Sequence, residues 1–147
     1  MKFVASIFMI LCAFSGCATG GAAFDGVDWQ LVEVKTSKTP AVILDRDLLT
    51  ANGMGDFFSL RFETTGLFGK AAPNRYFGDC TWEATGGLSL GNIGSTKMLA
   101  FREPDGLNEN GYFEYLNQMN HWALKNGRLE LSGGTGNDRI VMIFRKR

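Results

Sequence analysis

The sequence predicts an α+β domain, built as a mostly antiparallel, curved, barrel-like β-sheet with one α-helix inserted before the last three strands. Glycine is abundant (19 residues against 3 prolines), and it joins Asn and Asp in separating short runs of alternating apolar residues. Such runs are typical of antiparallel hairpins. A single later stretch changes from the two-residue period of a strand to the period of a helix. Three more strand-like runs follow that stretch and complete the predicted order.

Five strand-like runs precede the helix: residues 29–35, 57–62, 67–70, 76–85 and 88–93. Thr64-Thr65-Gly66 and Gly86-Gly87 are plausible turns between consecutive runs. Residues 36–56 remain open between strand and loop, because their single apolar run, at 41–44, is short. The aromatic side chains of this half are expected to lie mainly in the core: Phe57, Phe58, Phe62, Phe68, Tyr76, Phe77 and Trp82.

The helix is predicted over residues 105–120. Its apolar side chains fall three or four positions apart and would share one face: Leu107, Tyr112, Phe113, Leu116 and Met119. Either Asn108 or Asp105 could cap its N-terminus, since both residue types accept hydrogen bonds from the first free backbone N–H groups.

Residues 121–125, 128–132 and 139–144 form the three final strand-like runs. Asn126-Gly127 between the first two is a strong hairpin signal, and residues 133–138 are expected to form a polar loop. The terminal Arg145-Lys146-Arg147 is expected to be a solvated end, with contact to anionic head groups or peptidoglycan as the alternative. A sheet that is apolar on one face must bury that face, which favours closure over the helix or over itself.

The N-terminus has the features of a targeting segment. After Met1-Lys2, residues 3–14 carry no charge, and Ser15-Gly16-Cys17 follows. The apolar run is too short to span a bilayer, which requires about 20 residues. The pattern resembles the lipobox of bacterial lipoproteins, which implies a signal peptide at residues 1–16 and lipid on Cys17. The alternative is an ordinary secreted protein in which Cys17 is incidental.

Cleavage before Cys17 would leave 131 residues with 14 basic and 15 acidic side chains. That balance does not favour nucleic acid as a partner. Residues 17–24 would form a flexible tether and residues 25–147 one domain. The residue after the lipidated cysteine is Ala18 and not Asp. By resemblance to lipoproteins of Gram-negative bacteria, this implies the outer membrane. Cys80 would be the lone remaining thiol, and we expect it to be buried.

The domain resembles the META domain, also called HslJ-like. The segments that carry the resemblance are Trp29-Gln30-Leu31, Asn74-Arg75-Tyr76-Phe77-Gly78, Ser95-Thr96-Lys97-Met98, Glu109 with Phe113 and Leu116, and Leu129-Glu130-Leu131. The resemblance implies an α+β domain, an envelope location and links to heat or antibiotic tolerance, without an established catalytic activity. Pro73 and Ala100 stand where members often have cysteine, so thiol chemistry is not implied.

A catalytic or metal site finds little support. His121 is the only histidine, and a structural role near a helix C-terminus is the more favoured interpretation. Asp45 and Asp47 could approach a cation, but a solvated loop is favoured over that. Asp138 lacks the repeated acidic neighbours of a calcium loop. Ser95-Thr96 has no adjacent base and is expected to lie at a turn or strand edge.

The sequence therefore predicts a non-enzymatic, membrane-anchored envelope lipoprotein that acts in binding, envelope integrity or stress tolerance. No catalytic residue, metal or cofactor is predicted. The expected partners are the membrane, through the lipid on Cys17, and an envelope protein or a small apolar ligand. The alternative is a carrier of a small apolar ligand or lipid in a cavity inside the sheet. An enzyme is the third possibility and would depend on His121.

Overall fold

A computed structural model describes residues 24–64, 66–100 and 102–147. The strands are β1 (Trp29–Thr36), β2 (Val42–Ile43), β3 (Ser59–Glu63), β4 (Gly66–Lys70), β5 (Arg75–Trp82), β6 (Leu88–Ser95), β7 (Met119–Lys125), β8 (Arg128–Thr135) and β9 (Asp138–Lys146), and the helices are α1 (Arg46–Ala51) and α2 (Glu109–Leu116). Within these residues, neither helix has the length and apolar character needed to cross a bilayer. The predicted signal peptide and Cys17 lie outside the described residues.

The strands form one curved antiparallel sheet in the order β6-β5-β4-β3-β1-β9-β8-β7, with β2 paired to β1. The two ends of this order approach each other, because Gly87 beside β6 forms a bridge with His121 of β7. The backbone N–H of Trp122 also donates to the carbonyl of Gly86 at 2.8 Å. The predicted curved, barrel-like sheet, with a helix before its last three strands, is confirmed.

The core fills the inside of the curve. Its largest buried side chains come from β1, β3, β5, β9, α2 and the segments before β1 and β3: Trp29, Phe62, Tyr76, Phe144, Tyr112, Phe24 and Phe58. Phe24 packs edge-on against Phe62, Trp82 and Trp122, with ring centroids 4.5–5.5 Å apart. Phe24 was placed at the end of the predicted tether, yet it is fully buried and belongs to the folded unit. The remaining tether residues lie outside the described part.

Helix α2 is shorter at both ends than the helix predicted over residues 105–120. Asn108 is its N-cap and accepts a hydrogen bond from the backbone N–H of Gly111 at 2.8 Å, which confirms one of the two capping candidates. Leu107 and Met119 continue the apolar period but lie beyond the ends, in a loop and in β7. Both are buried. The apolar periodicity therefore predicted the buried positions correctly but overestimated the length of the helix.

Three other segments differ from the prediction by more than small shifts of their ends. The open segment 36–56 contains the short strand β2 and the helix α1. Strand β3 begins at Ser59 rather than at 57, because the fully buried Phe58 has a φ of 53°, outside the strand region. The expected loop at 133–138 is mostly strand: β8 runs to Thr135 and β9 begins at Asp138.

The glycines of that segment explain the last difference. A Cβ on Gly133 would overlap the carbonyl of Gln118, and one on Gly134 would overlap the carbonyl of Asp138. Glycine permits such a close approach of two backbones within a sheet. The glycine-rich composition therefore indicates tight strand packing here. The Asn126-Gly127 hairpin between β7 and β8 is confirmed, as is the burial of Cys80.

Candidate functional site

Asn74, which is buried in the loop between β4 and β5, joins three distant segments of the chain. Its side-chain oxygen accepts from the hydroxyl of Thr96 at 2.9 Å and from the backbone N–H of Met98 at 2.6 Å. Its amide nitrogen donates to the carbonyl of Met98 at 3.1 Å and to a carboxylate oxygen of Glu109 at 2.8 Å. The side chain thus uses both of its donors and both acceptor positions within the protein.

A pair of buried tyrosines lies next to this node. The hydroxyl groups of Tyr76 on β5 and Tyr112 on α2 are 2.7 Å apart, and Tyr76 also donates to the carbonyl of Ser59 at 2.8 Å. Burial raises the pKa of both phenols well above the usual value, and the neighbouring Tyr112 raises that of Tyr76 further. Both therefore stay neutral at physiological pH and hold α2 against the sheet.

Because of this tyrosine pair, we expect the folded domain to lose stability at alkaline pH. The folded-state pKa values lie above the unfolded value of about 10, so the tyrosines stabilise the fold fully below pH 10 and progressively less above it. We expect the free energy of unfolding to fall by up to about 1.4 kcal/mol per pH unit for each tyrosine. Urea unfolding at a series of pH values measures this slope, and Tyr112→Phe should reduce it.

Cys80 requires a control in that experiment. Burial, with smaller contributions from Asp25 and Asp79, raises the pKa of its thiol from 9.0 to about 11. It therefore also loses stabilising effect as pH rises from 9 towards 11. Cys80→Ala removes this contribution. A slope unchanged by Tyr112→Phe in the Cys80→Ala background would contradict the role given to the pair.

The other polar candidates have structural contacts. The Asp45 carboxylate caps α1 by accepting from the backbone N–H groups of Asp47 and Leu48, so the expected solvated loop is a capped helix. Asp138 accepts a hydrogen bond from the Ser37 hydroxyl at 2.8 Å. This bond lowers the pKa of the Asp138 carboxyl group, and Lys38 lowers it further by a smaller amount.

His121 is not at a helix end. It lies exposed in β7, after α2 has ended at Leu116 and beside the bridge to Gly87. The predicted role near a helix C-terminus is therefore wrong, because strand pairing resumes at Met119. Among the described residues, there is no group of three or more His, Cys, Asp or Glu side chains that could hold a metal.

A second feature lies on the outer face of β3, β4 and β5. The register places Arg61 opposite Phe68, Phe68 opposite Phe77, and Lys70 opposite Arg75. Since paired residues share a face of a sheet, these five side chains form two adjacent rows. Phe68 is 41% exposed and Phe77 is 59% exposed. The expectation that both are core residues is wrong, because inward positions on these strands are occupied by Leu67 and Tyr76.

The rows border a groove of about 440 Å³. Its charged lining consists of four cationic and two acidic side chains: Arg61, Lys70, Arg75, Arg147, Asp28 and Asp56. Arg61 pairs with Glu63 at 3.0 Å and with Asp28 at 3.4 Å, and Lys70 pairs with Asp56 at 2.7 Å. Among the described residues, Arg75 and Arg147 form no ion pair. We refer to this groove and its rim of Phe68 and Phe77 as the outer groove.

The positive charge near the outer groove also acts on a buried guanidinium. Arg46 of α1 donates to the carbonyls of Phe57 and Gly55 at 3.0 and 2.6 Å. Burial lowers the pKa of Arg46, and the charges of Arg145 and Arg147 lower it further. The terminal run predicted as a solvated end continues β9 as far as Lys146, with exposed side chains. It therefore contributes to one cationic region with the outer groove.

Comparison with known families decides the identity of the domain. The model of the META domain matches residues 22–146. The chain belongs to the META-domain family. A solved structure of similar fold is the NMR structure of the protein from Burkholderia xenovorans, which is 21% identical to this chain, with 84% of this chain and 83% of that chain covered and a TM-score of 0.62. At that identity, the similarity concerns the fold alone. No curated protein matches the chain significantly.

Three of the five META segments named from the sequence meet at Asn74. Asn74 and Tyr76 come from one segment, Thr96 and Met98 from another, and Glu109 from the helix segment. Asn74 forms direct hydrogen bonds with Thr96, Met98 and Glu109. Sequence reasoning found these residues but missed the outer groove. The missed signal was the adjacency of Tyr76 and Phe77 in one strand, since neighbouring strand residues point to opposite faces.

Proposed function

We propose that this META protein is a non-enzymatic lipoprotein of the cell envelope, anchored by lipid on Cys17, and that it works by binding through its outer groove. One observation carries the proposal. Asn74 and Tyr76 are engaged with buried or partly buried partners, whereas Phe68, Phe77 and two arginines that form no ion pair among the described residues are exposed in the outer groove. Exposed apolar side chains with charged side chains beside them are typical of an interaction site.

The anchor is supported by the N-terminal sequence. Residues 1–16 have the form of a lipoprotein signal, and Cys17 precedes the buried Phe24 by seven positions. A chain of that length reaches at most about 25 Å. Lipid on Cys17 would therefore hold the domain close to the bilayer, and Ala18 supports the outer membrane as its site. A part in envelope integrity or stress tolerance belongs to the same proposal.

Labelling with radioactive palmitate in a Gram-negative host tests the anchor. Cys17→Ala should abolish labelling of the protein, because the thiol of Cys17 is the group that takes up the diacylglycerol. Cys12→Ala is the matched control and should leave labelling unchanged, since Cys12 lies in the segment that is removed. Equal labelling of the Cys17→Ala variant and the parent would contradict the anchor.

The proposed mode of action has its own contradiction. Enzymatic turnover of an envelope substrate by a purified protein of residues 18–147 would contradict the non-enzymatic part of the proposal. The carrier alternative has weaker support, because the inside of the sheet is occupied by fully buried side chains such as Trp29, Phe58 and Phe144. Bulky side chains in this position leave a ligand less room than the open outer groove does.

A further inference from the structure

The outer groove combines positive charge with an exposed aromatic rim on one face of the sheet. We propose that this face docks on the anionic phospholipid head groups of the bilayer that holds the anchor. The inference rests on the proposed lipid at Cys17, which would bring the domain to the surface. It adds a second, non-covalent contact between protein and membrane.

Charge complementarity is the first argument. The cationic side chains that line the groove outnumber its carboxylate side chains by two, and the acidic ones already pair with Arg61 and Lys70. The side-chain charges left for a partner are those of Arg75 and Arg147, and both side chains are exposed. In residues 18–147 the α-carboxylate of Arg147 offsets one of these two charges. Phosphodiester groups are anions that arginine binds through paired hydrogen bonds. A basic region near a membrane is attracted to anionic lipids.

The aromatic rim is the second argument. Phe68 and Phe77 are paired across β4 and β5, so both rings project from the same face. They lie in the row next to Lys70 and Arg75. Apolar rings beside basic side chains are typical of surfaces that lie at the boundary between head groups and acyl chains. A soluble anion would be held by the cations without using the rings.

The position of the tether is the third argument. Asp28 lines the groove and is only four residues beyond Phe24, where the described fold begins. Four residues span at most about 14 Å. The chain therefore enters the fold near the outer groove, and an anchor of seven further residues can hold this face against the bilayer. Arg147 lies at the same place, since its backbone N–H donates to the carbonyl of Asp28 at 2.9 Å.

Vesicle flotation of residues 18–147 tests the docking without the anchor. The core residues of the described part all lie between Phe24 and Phe144, so this chain contains the whole folded unit, and circular dichroism checks each variant. We expect flotation with phosphatidylglycerol–phosphatidylcholine vesicles, little with phosphatidylcholine alone, and weaker binding as salt increases. Replacing both Arg75 and Arg147 by Gln should weaken binding about 25-fold, at about fivefold per charge.

The matched control replaces two exposed cations elsewhere, Arg128 on β8 and Arg139 at the far end of β9, by Gln. It should bind within about twofold of the parent. Equal loss in the control, equal flotation on neutral vesicles, or no flotation would overturn the proposal. Inorganic phosphate that bound the groove while vesicles did not would assign it to a soluble anion, which also overturns it. Palmitate labelling of Cys17 is unaffected by any of these results, so the two proposals can fail separately.

Discussion

Asn74→Ala is expected to lower the free energy of unfolding by about 3 kcal/mol or more. The substitution removes four hydrogen bonds of a buried side chain and leaves the Met98 backbone groups, the Thr96 hydroxyl and the Glu109 carboxylate without this partner. Each of the four hydrogen bonds contributes about 0.5–1.5 kcal/mol, and the bond to the Glu109 carboxylate contributes more because it is charged. Urea unfolding followed by tryptophan fluorescence measures the change.

Asn92→Ala is the matched control for Asn74→Ala. Asn92 lies on β6 and is exposed, so we expect a change within about 0.5 kcal/mol. Similar losses in the two variants would mean that Asn74 has no special part in joining the META segments. A small loss at Asn74 would give the same conclusion.

Gly69→Ala is expected to destabilise the domain by about 3 kcal/mol, as strong overpacking does. A Cβ at this position would overlap the carbonyl of Ser59 and lie 2.5 Å from the Tyr76 ring. The Tyr76 ring could not then keep its place over β4, and its hydroxyl would lose the bonds to Ser59 and Tyr112. Thermal unfolding measures the loss.

Gly94→Ala provides a comparison on β6. A Cβ there meets the exposed Phe77 ring at 3.2 Å, and that ring can move. We expect a change below about 1 kcal/mol. Equal destabilisation by Gly69→Ala and Gly94→Ala would show that loss of glycine in a strand, rather than the crossing of Tyr76, determines the effect.

Local patterns predicted most of the fold. Alternation placed β1, β4, β5 and β6 within a few residues, and Asn126-Gly127 located the hairpin between β7 and β8. These features depend on neighbours in sequence, which is why they can be read from it. Helix α1 was missed because the cap at Asp45 was interpreted as part of a loop.

The remaining differences came from contacts between distant residues. The conformation of Phe58 and the close approach of Gly133 to Gln118 depend on the packed sheet, and no local pattern reports them. The exposure of Phe68 and Phe77 follows from which face of the sheet is buried. That choice becomes clear only once Leu67 and Tyr76 are known to point inward.

The central claim is that the contacts of Asn74 and Tyr76 with other segments hold the fold together and that the outer groove does the binding. Amide chemical-shift mapping of residues 18–147, titrated with phosphatidylglycerol bicelles, tests it most directly. The account predicts shifts confined to Phe68, Phe77 and Arg75, their strand neighbours and the end of β9 near Arg147. Shifts centred on Leu116 and Met142 inside the sheet, with the outer groove unchanged, would contradict it and support a carrier with an internal site.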